Sequence, residues 1–126
     1  MKKVWVVDDD QEMTVAISLM LELLECEATS FYDARSASEA LSAGVIPDLL
    51  LLDINFPEVS GLDLLEYLRR TAEWKNLPVI MLSSETADVV VDKALEMGAD
   101  GYLMKPVTVE ELEKIMSEAF KKHQIH

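Results

Sequence analysis

Residues 49–61 read LLLLDINFPEVSG: four leucines run into Asp53, and a proline and a glycine follow within eight residues. A short unbroken apolar run bounded by turn-forming residues predicts a strand covered on both faces, because a half-exposed strand would alternate. Working outward, KVWVVD (3–8), DLLLLD (48–53), PVIML (78–82) and GYLM (101–104) share that character, and the more polar EATSF (27–31) makes a fifth strand. Between and after them, apolar residues return at helical spacing near 11–25, 36–43, 60–72, 86–97 and 108–122. Strict strand–helix alternation predicts α/β architecture in one domain over residues 1–126: a doubly wound five-stranded parallel sheet with five helices. In the last helix Val109, Leu112, Met116, Ala119 and Phe120 share a face, with Thr108 the expected N-cap and Glu111 its capping-box partner.

Composition narrows the function. The 126 residues carry 24 acids against 11 bases, a net charge of −13, which repels phosphate backbones and argues against direct nucleic-acid binding. No apolar run approaches the ~20 residues that cross a bilayer. The opening MKK leads straight into VWVVDDD without a secretory pattern, so a cytoplasmic protein with no membrane contact is expected. Cys26 is the only cysteine, which excludes an internal disulfide and a cysteine-based zinc site. His123 and His126 lie beyond the last apolar helical position and are expected in a solvated tail.

The informative polar residues fall where strands end. The first strand ends in Asp8, Asp9 and Asp10, the third in Asp53, the fourth in Ser83 and Ser84, and the fifth runs into Lys105. Ligands of open parallel α/β sheets bind beyond the carboxyl ends of the strands, so these groups are expected on one rim. Crowded carboxylates repel unless a cation settles among them. Magnesium, a hard ion that takes one or two carboxylates and keeps several waters, suits that oxygen-only set. A carboxylate beside such a metal is also a nucleophile toward phosphorus. This reading makes Asp53 the phosphoacceptor, Asp8 and Asp9 metal ligands, Lys105 a counter-charge and Ser83 a hydrogen-bond donor. Asp10 is read as the acid at the N-terminus of the first helix, where the helix dipole favours negative charge. That helix has a polar stripe of Gln11, Thr14, Ser18, Glu22 and Glu25, a core face of Met13, Ile17, Met20 and Leu24, and flanking Val15 and Leu19.

The strand ends VVDDD (6–10), LLDINFPEVSG (51–61), PVIMLSSE (78–85) and GADGYLMKP (98–106) together resemble the receiver domain of two-component response regulators over essentially the whole chain. That resemblance implies a flavodoxin-like strand order 2-1-3-4-5. It implies phosphorylation of Asp53 by a sensor histidine kinase or histidine phosphotransfer protein, with magnesium held by Asp8, Asp9, Asp53 and the backbone carbonyl of Asn55. It also implies Ser83 and Tyr102 as switch residues, phosphate approach to the backbone N–H of Ser84, tuning of phosphoryl lifetime by Asn55 and Glu85, and a cis Lys105–Pro106 bond. The first helix would dock the kinase or phosphotransfer partner. The surface of the fourth and fifth helices and fifth strand would pass the signal to an effector domain or protein, or form a phosphorylation-dependent dimer. Phe56 and Ser60 replace the methionine and aspartate common in the family, a departure expected to alter packing and not activity.

Two rival readings have sequence-level counterarguments. A haloacid-dehalogenase-type phosphatase also places D-x-D after a first strand, formally Asp8 and Asp10, but Glu12 departs from that motif. A pseudo-receiver that binds its partner without phosphate is opposed by the intact acid, hydroxyl and lysine set. No G-x-x-x-x-G-K-[ST] loop occurs, which argues against nucleotide binding.

Overall fold

The computed structural model describes residues 1–54, 60–84 and 88–123, with residues 88–90 described as backbone. In chain order the elements are β1 (Lys2–Val7), α1 (Gln11–Leu23), β2 (Cys26–Phe31), α2 (Ala34–Ser42), β3 (Leu49–Asp53), α3 (Gly61–Arg70), β4 (Val79–Ser83), α4 (Asp88–Glu96), β5 (Gly101–Met104) and α5 (Val109–His123). All neighbouring strands are parallel and the order is β2-β1-β3-β4-β5, as the resemblance implied. Among the described residues, no helix is long and apolar enough to cross a membrane.

The continuous apolar runs are explained by two separate cores, one on each face of the sheet. Alternate residues of each central strand serve alternate cores, as the two-residue period of a strand requires. Trp5, Val7, Leu50, Leu52, Val79 and Met81 pack on the side that carries Leu65 and Leu68 of α3. Val4, Val6, Leu49, Leu51, Ile80 and Leu82 pack on the side that carries Ile17 and Leu21 of α1 and Leu112 and Met116 of α5. Every residue of β3 is buried, Asp53 included. Cys26 is a free, buried thiol, and burial pushes its pKa up.

Several boundaries differ from the sequence reading for local reasons. Helix α2 begins at Ala34, two residues before the expected start, because the Asp33 carboxylate accepts the Ser36 N–H at 2.6 Å and caps it. That hydrogen bond holds the Asp33 pKa below the ordinary carboxylate range. Thr14 is fully buried instead of lying on a polar stripe, its hydroxyl donating to the Gln11 carbonyl at 2.9 Å, while Val15 and Leu19 face solvent. In α5 the Thr108 hydroxyl accepts the Glu111 N–H and donates to the Glu111 carboxylate, so the expected capping pair forms with both bonds made by the hydroxyl.

The largest departure lies at the end of the sheet away from the acids. Arg69, at the C-terminal end of α3, donates to the carbonyls of Gly98, Trp74 and Leu77 and pairs with Asp100 at 3.3 Å. The left-handed backbone of Gly98, φ 106°, brings it within reach of this side chain, and a Cβ there would meet Arg69 Nε at 3.0 Å. Burial lowers the Arg69 pKa, and Asp100 acts against that shift. His123, expected in a solvated tail, has its Nε2 2.7 Å from Asp100 Oδ1; His126 lies outside the described residues. A guanidinium that serves four acceptors cannot be replaced by a point charge. Arg69→Ala should therefore lower stability by about 3 kcal/mol, with Arg69→Lys restoring less than half, as measured by equilibrium urea unfolding.

Candidate functional site

The carboxyl ends of the strands carry the acids to one place. Parallel pairing sets Val7 opposite Leu52 and Asp53 opposite Leu82, so Asp8, one residue past β1, arrives beside the end of β3. The Asp8 N–H donates to the Phe31 carbonyl at 3.0 Å, which holds that turn to the end of β2. Asp8, Asp9 and Asp53 each offer a carboxylate oxygen, and the three oxygens lie within 4.8 Å of one another. Asp8 is fully buried, Asp53 nearly so and Asp9 exposed, so the cluster opens to solvent on one side.

Lys105 enters from the end of β5. Its backbone N–H donates to the Ser83 carbonyl at 2.8 Å, which fixes it beside the end of β4, and the bond to Pro106 is cis. Its ammonium lies 2.6 Å from Asp8 Oδ2 and 3.4 Å from Asp53 Oδ1. Asp8 Oδ2 accepts no hydrogen bond of good direction, so the shorter contact is charge pairing more than hydrogen bonding. Burial acts to lower the Lys105 pKa, but Asp8 first and then Asp53 outweigh it and leave the pKa above the ordinary lysine value. Lys105 therefore stays protonated throughout the neutral range.

The charge balance shows what the site can hold. Among the described residues, three carboxylates against one ammonium leave two negative charges in a partly desolvated corner. Like charges no more than 4.8 Å apart repel by about 3.5 kcal/mol or more at an effective dielectric constant near 20. A divalent cation would offset that repulsion, and an oxygen-only donor set of three carboxylates fits a hard ion such as magnesium.

The other sequence-predicted residues are placed as follows. Ser83 closes β4 and is 2% exposed, whereas Ser84 faces solvent. Tyr102 on β5 is 41% exposed, directed outward. Asn55, Phe56 and Glu85 lie outside the described residues. Asp10 stands apart from the acid cluster: its carboxylate caps α1 by accepting the Met13 N–H at 3.1 Å, and its own N–H donates to Asp8 Oδ1 at 3.0 Å. That arrangement removes the second aspartate that a D-x-D phosphatase reading needs. Ser60 caps α3 by accepting the Leu62 N–H, a task serine and aspartate perform about equally well, so the departure noted there leaves the helix start intact.

Sequence reasoning missed Gly61 as a positioning residue. A Cβ at Gly61 would sit 2.0 Å from the Asp53 carbonyl oxygen, and the Gly61 N–H donates to the Ile54 carbonyl at 2.8 Å. Only a bare backbone lets the start of α3 pass so close behind the acceptor strand. The signal was a glycine directly after a capping serine, eight residues past Asp53.

A family model described as the response regulator receiver domain matches residues 4–117. The chain is 41% identical over 115 residues to the transcriptional regulatory protein CpxR of Escherichia coli, covering 89% of this chain and 46% of that protein. It thus spans about half the length of that relative. It is 30% identical to the two-component response regulator ORR3 of rice over 92% of this chain and 88% of that one. Among solved structures it resembles the chemotaxis response regulator CheY4 of Vibrio cholerae, with a TM-score of 0.84, 28% identity, and coverage of 94% and 98% of the two chains.

Two outcomes follow from this geometry. Gly61→Ala must push the Asp53 carbonyl aside and should cost about 3 kcal/mol, the upper part of the overpacking range, in urea unfolding. Because the folded Lys105 pKa is raised, its stabilising contribution is complete below the unfolded value of about 10.4 and is lost as pH rises through the folded value. The stability difference between the native protein and Lys105→Met should accordingly be constant from pH 7 to 9 and shrink towards pH 11.5.

Proposed function

Because the chain belongs to the response regulator receiver domain family, we propose that residues 1–126 form one receiver domain that works as a phosphorylation switch in a two-component phosphorelay. Asp53 is the acceptor, and the donor is the phosphohistidine of a sensor histidine kinase or histidine phosphotransfer protein. The observation that carries this reading is the Lys105 ammonium bridging Asp8 and Asp53 beside Asp9.

In the transfer, an Asp53 carboxylate oxygen attacks phosphorus, the P–N bond to the donor imidazole breaks, and the imidazole nitrogen keeps the electron pair. Asp53 lies at the end of a fully buried strand, so its oxygen is held for in-line approach with little freedom to lose. Asp8, Asp9 and Asp53, together with the backbone carbonyl of Asn55 that the resemblance implies, would hold magnesium, which when bound would supply positive charge to the phosphoryl oxygens. Lys105 supplies the chain's own positive group, and the Ser83 hydroxyl and the Ser84 N–H add hydrogen bonds. Asn55 and Glu85 tune the lifetime of the product. The domain is a regulatory element that promotes its own phosphorylation and dephosphorylation and turns over no separate substrate.

Phosphorylation redistributes the charge at Lys105. An ammonium now shared between Asp8 and Asp53 gains a phosphoryl oxygen as partner, Ser83 moves inward, and Tyr102 leaves its exposed position to fill the space. Moving such an equilibrium from 1:99 to 99:1 takes about 5.5 kcal/mol, within reach of several charge-assisted hydrogen bonds. The output is the α4–β5–α5 surface, which includes a groove of about 310 Å³ lined by Tyr102, Glu111, Lys114 and Glu118. It engages an effector domain or protein, or a second copy of the chain. The donor docks on α1, where Val15 and Leu19 are each 57% exposed and Leu23 is 75% exposed along one face. The proposed setting is cytoplasmic.

Incubation with acetyl phosphate and magnesium should add one phosphoryl group in an acid-stable, base-labile linkage, seen by intact mass. Asp53→Asn should abolish the gain, and a gain that survives that change would overturn the assignment. Without phosphate, magnesium at a hundred times its dissociation constant should raise stability by about 2.7 kcal/mol, and Asp8→Asn should erase most of that increment in thermal unfolding.

A further inference from the structure

The charged group at the far end of the sheet joins α5 to the rest of the molecule. Asp100 has a side chain only 3% exposed, and its two oxygens are divided between two bodies. Oδ2 faces the core, accepting the Val79 N–H at 2.9 Å and meeting Arg69 Nη2 at 3.3 Å. Oδ1 faces α5, lying 2.7 Å from His123 Nε2 and 3.3 Å from Lys122 Nζ. Asp100 is itself fixed, since its own N–H donates to the Val79 carbonyl at 2.8 Å. One residue on, Gly101 leaves room for Ile115 of α5, whose Cδ1 would stand 2.8 Å from a Cβ placed there. Helix α5 is thus pressed against the start of β5 at its middle and tied to it at its last turn.

The other end of α5 begins four residues after Lys105, the cation of the acid cluster. Fifteen residues make a rod about 22 Å long at 1.5 Å per residue, with the reactive corner at one end and the Asp100 tie at the other. We propose that Asp100 pins the C-terminal turn of α5, so that the helix responds to phosphorylation by tilting about that fixed end instead of sliding along the sheet. This deepens the switch reading above and rests on it for the source of the movement. The pin does not rest on it: Asp100 meets Arg69, Val79, Lys122 and His123 in the protein without phosphate on Asp53.

Residue-resolved amide hydrogen exchange tests both parts. In the unphosphorylated protein, His123→Ala removes one α5 partner and leaves the Arg69 and Val79 contacts in place. It should speed exchange of amides 120–123 by about tenfold while 112–115 stay within about twofold. Unchanged protection at 120–123 overturns the pin. After treatment with acetyl phosphate and magnesium, with the added phosphoryl group verified by mass, protection in the native protein should change by at least about fivefold at 112–115 and by less than about twofold at 120–123. Asp100→Asn should spread the change to 120–123. Equal changes at both ends of α5 in phosphorylated native protein overturn the tilt. Absence of any mass gain instead refutes the phosphorylation reading, and the His123→Ala comparison still decides the pin.

Discussion

The molecule is organised around one ammonium group held among carboxylates. Lys105 reaches from the end of β5 to within 2.6 Å of Asp8 and 3.4 Å of Asp53, so the last strand is tied electrostatically to the first and third. Its charge offsets part of the repulsion between the two buried carboxylates. The same contact would make the site responsive in the proposed switch. A cation shared between two anions is easily reassigned when one of them gains charge, and no large rearrangement of the fold is needed to supply a new partner.

Such a corner needs a rigid support, and the parallel sheet provides it. Both faces of β3 and β4, and of β1 from Val4 on, are covered, which is why these stretches are almost continuously apolar and why they read so clearly in the sequence. The strand ends read equally clearly, because an acid closing an apolar run has few places to go other than the rim. Strand order was a different matter. Nothing in the local pattern says that β1 lies between β2 and β3, and the order 2-1-3-4-5 came from the family likeness.

What the sequence concealed was pairing at long range. Arg69 and Asp100 are ordinary charged residues in a chain rich in them, and periodicity reports whether a position faces inward, not which group it meets. His123 looked like a tail because it follows the last apolar residue of α5, yet a buried carboxylate gives a polar side chain its own reason to turn inward. Thr14 misled in the same way: a hydroxyl that bonds to its own helix can be buried where hydrophobicity alone would leave it outside. Asp10 went as expected, since a carboxylate one residue before a helix has a strong local use in capping it. Gly61 was hidden because its importance lies in an absent side chain.

The division of the interior into two layers also bears on how the molecule can be watched. Both indoles, Trp5 and Trp74, belong to the layer packed with α3. Trp5 stacks at a tilt on Phe31, and Trp74 on Tyr67. The opposite layer, with α1 and α5, contains no tryptophan. Intrinsic emission therefore views the protein from one side: repacking beneath α3 would alter its colour or intensity directly, while motion of α5 would reach the indoles only through the sheet, leaving half of the interior optically dark.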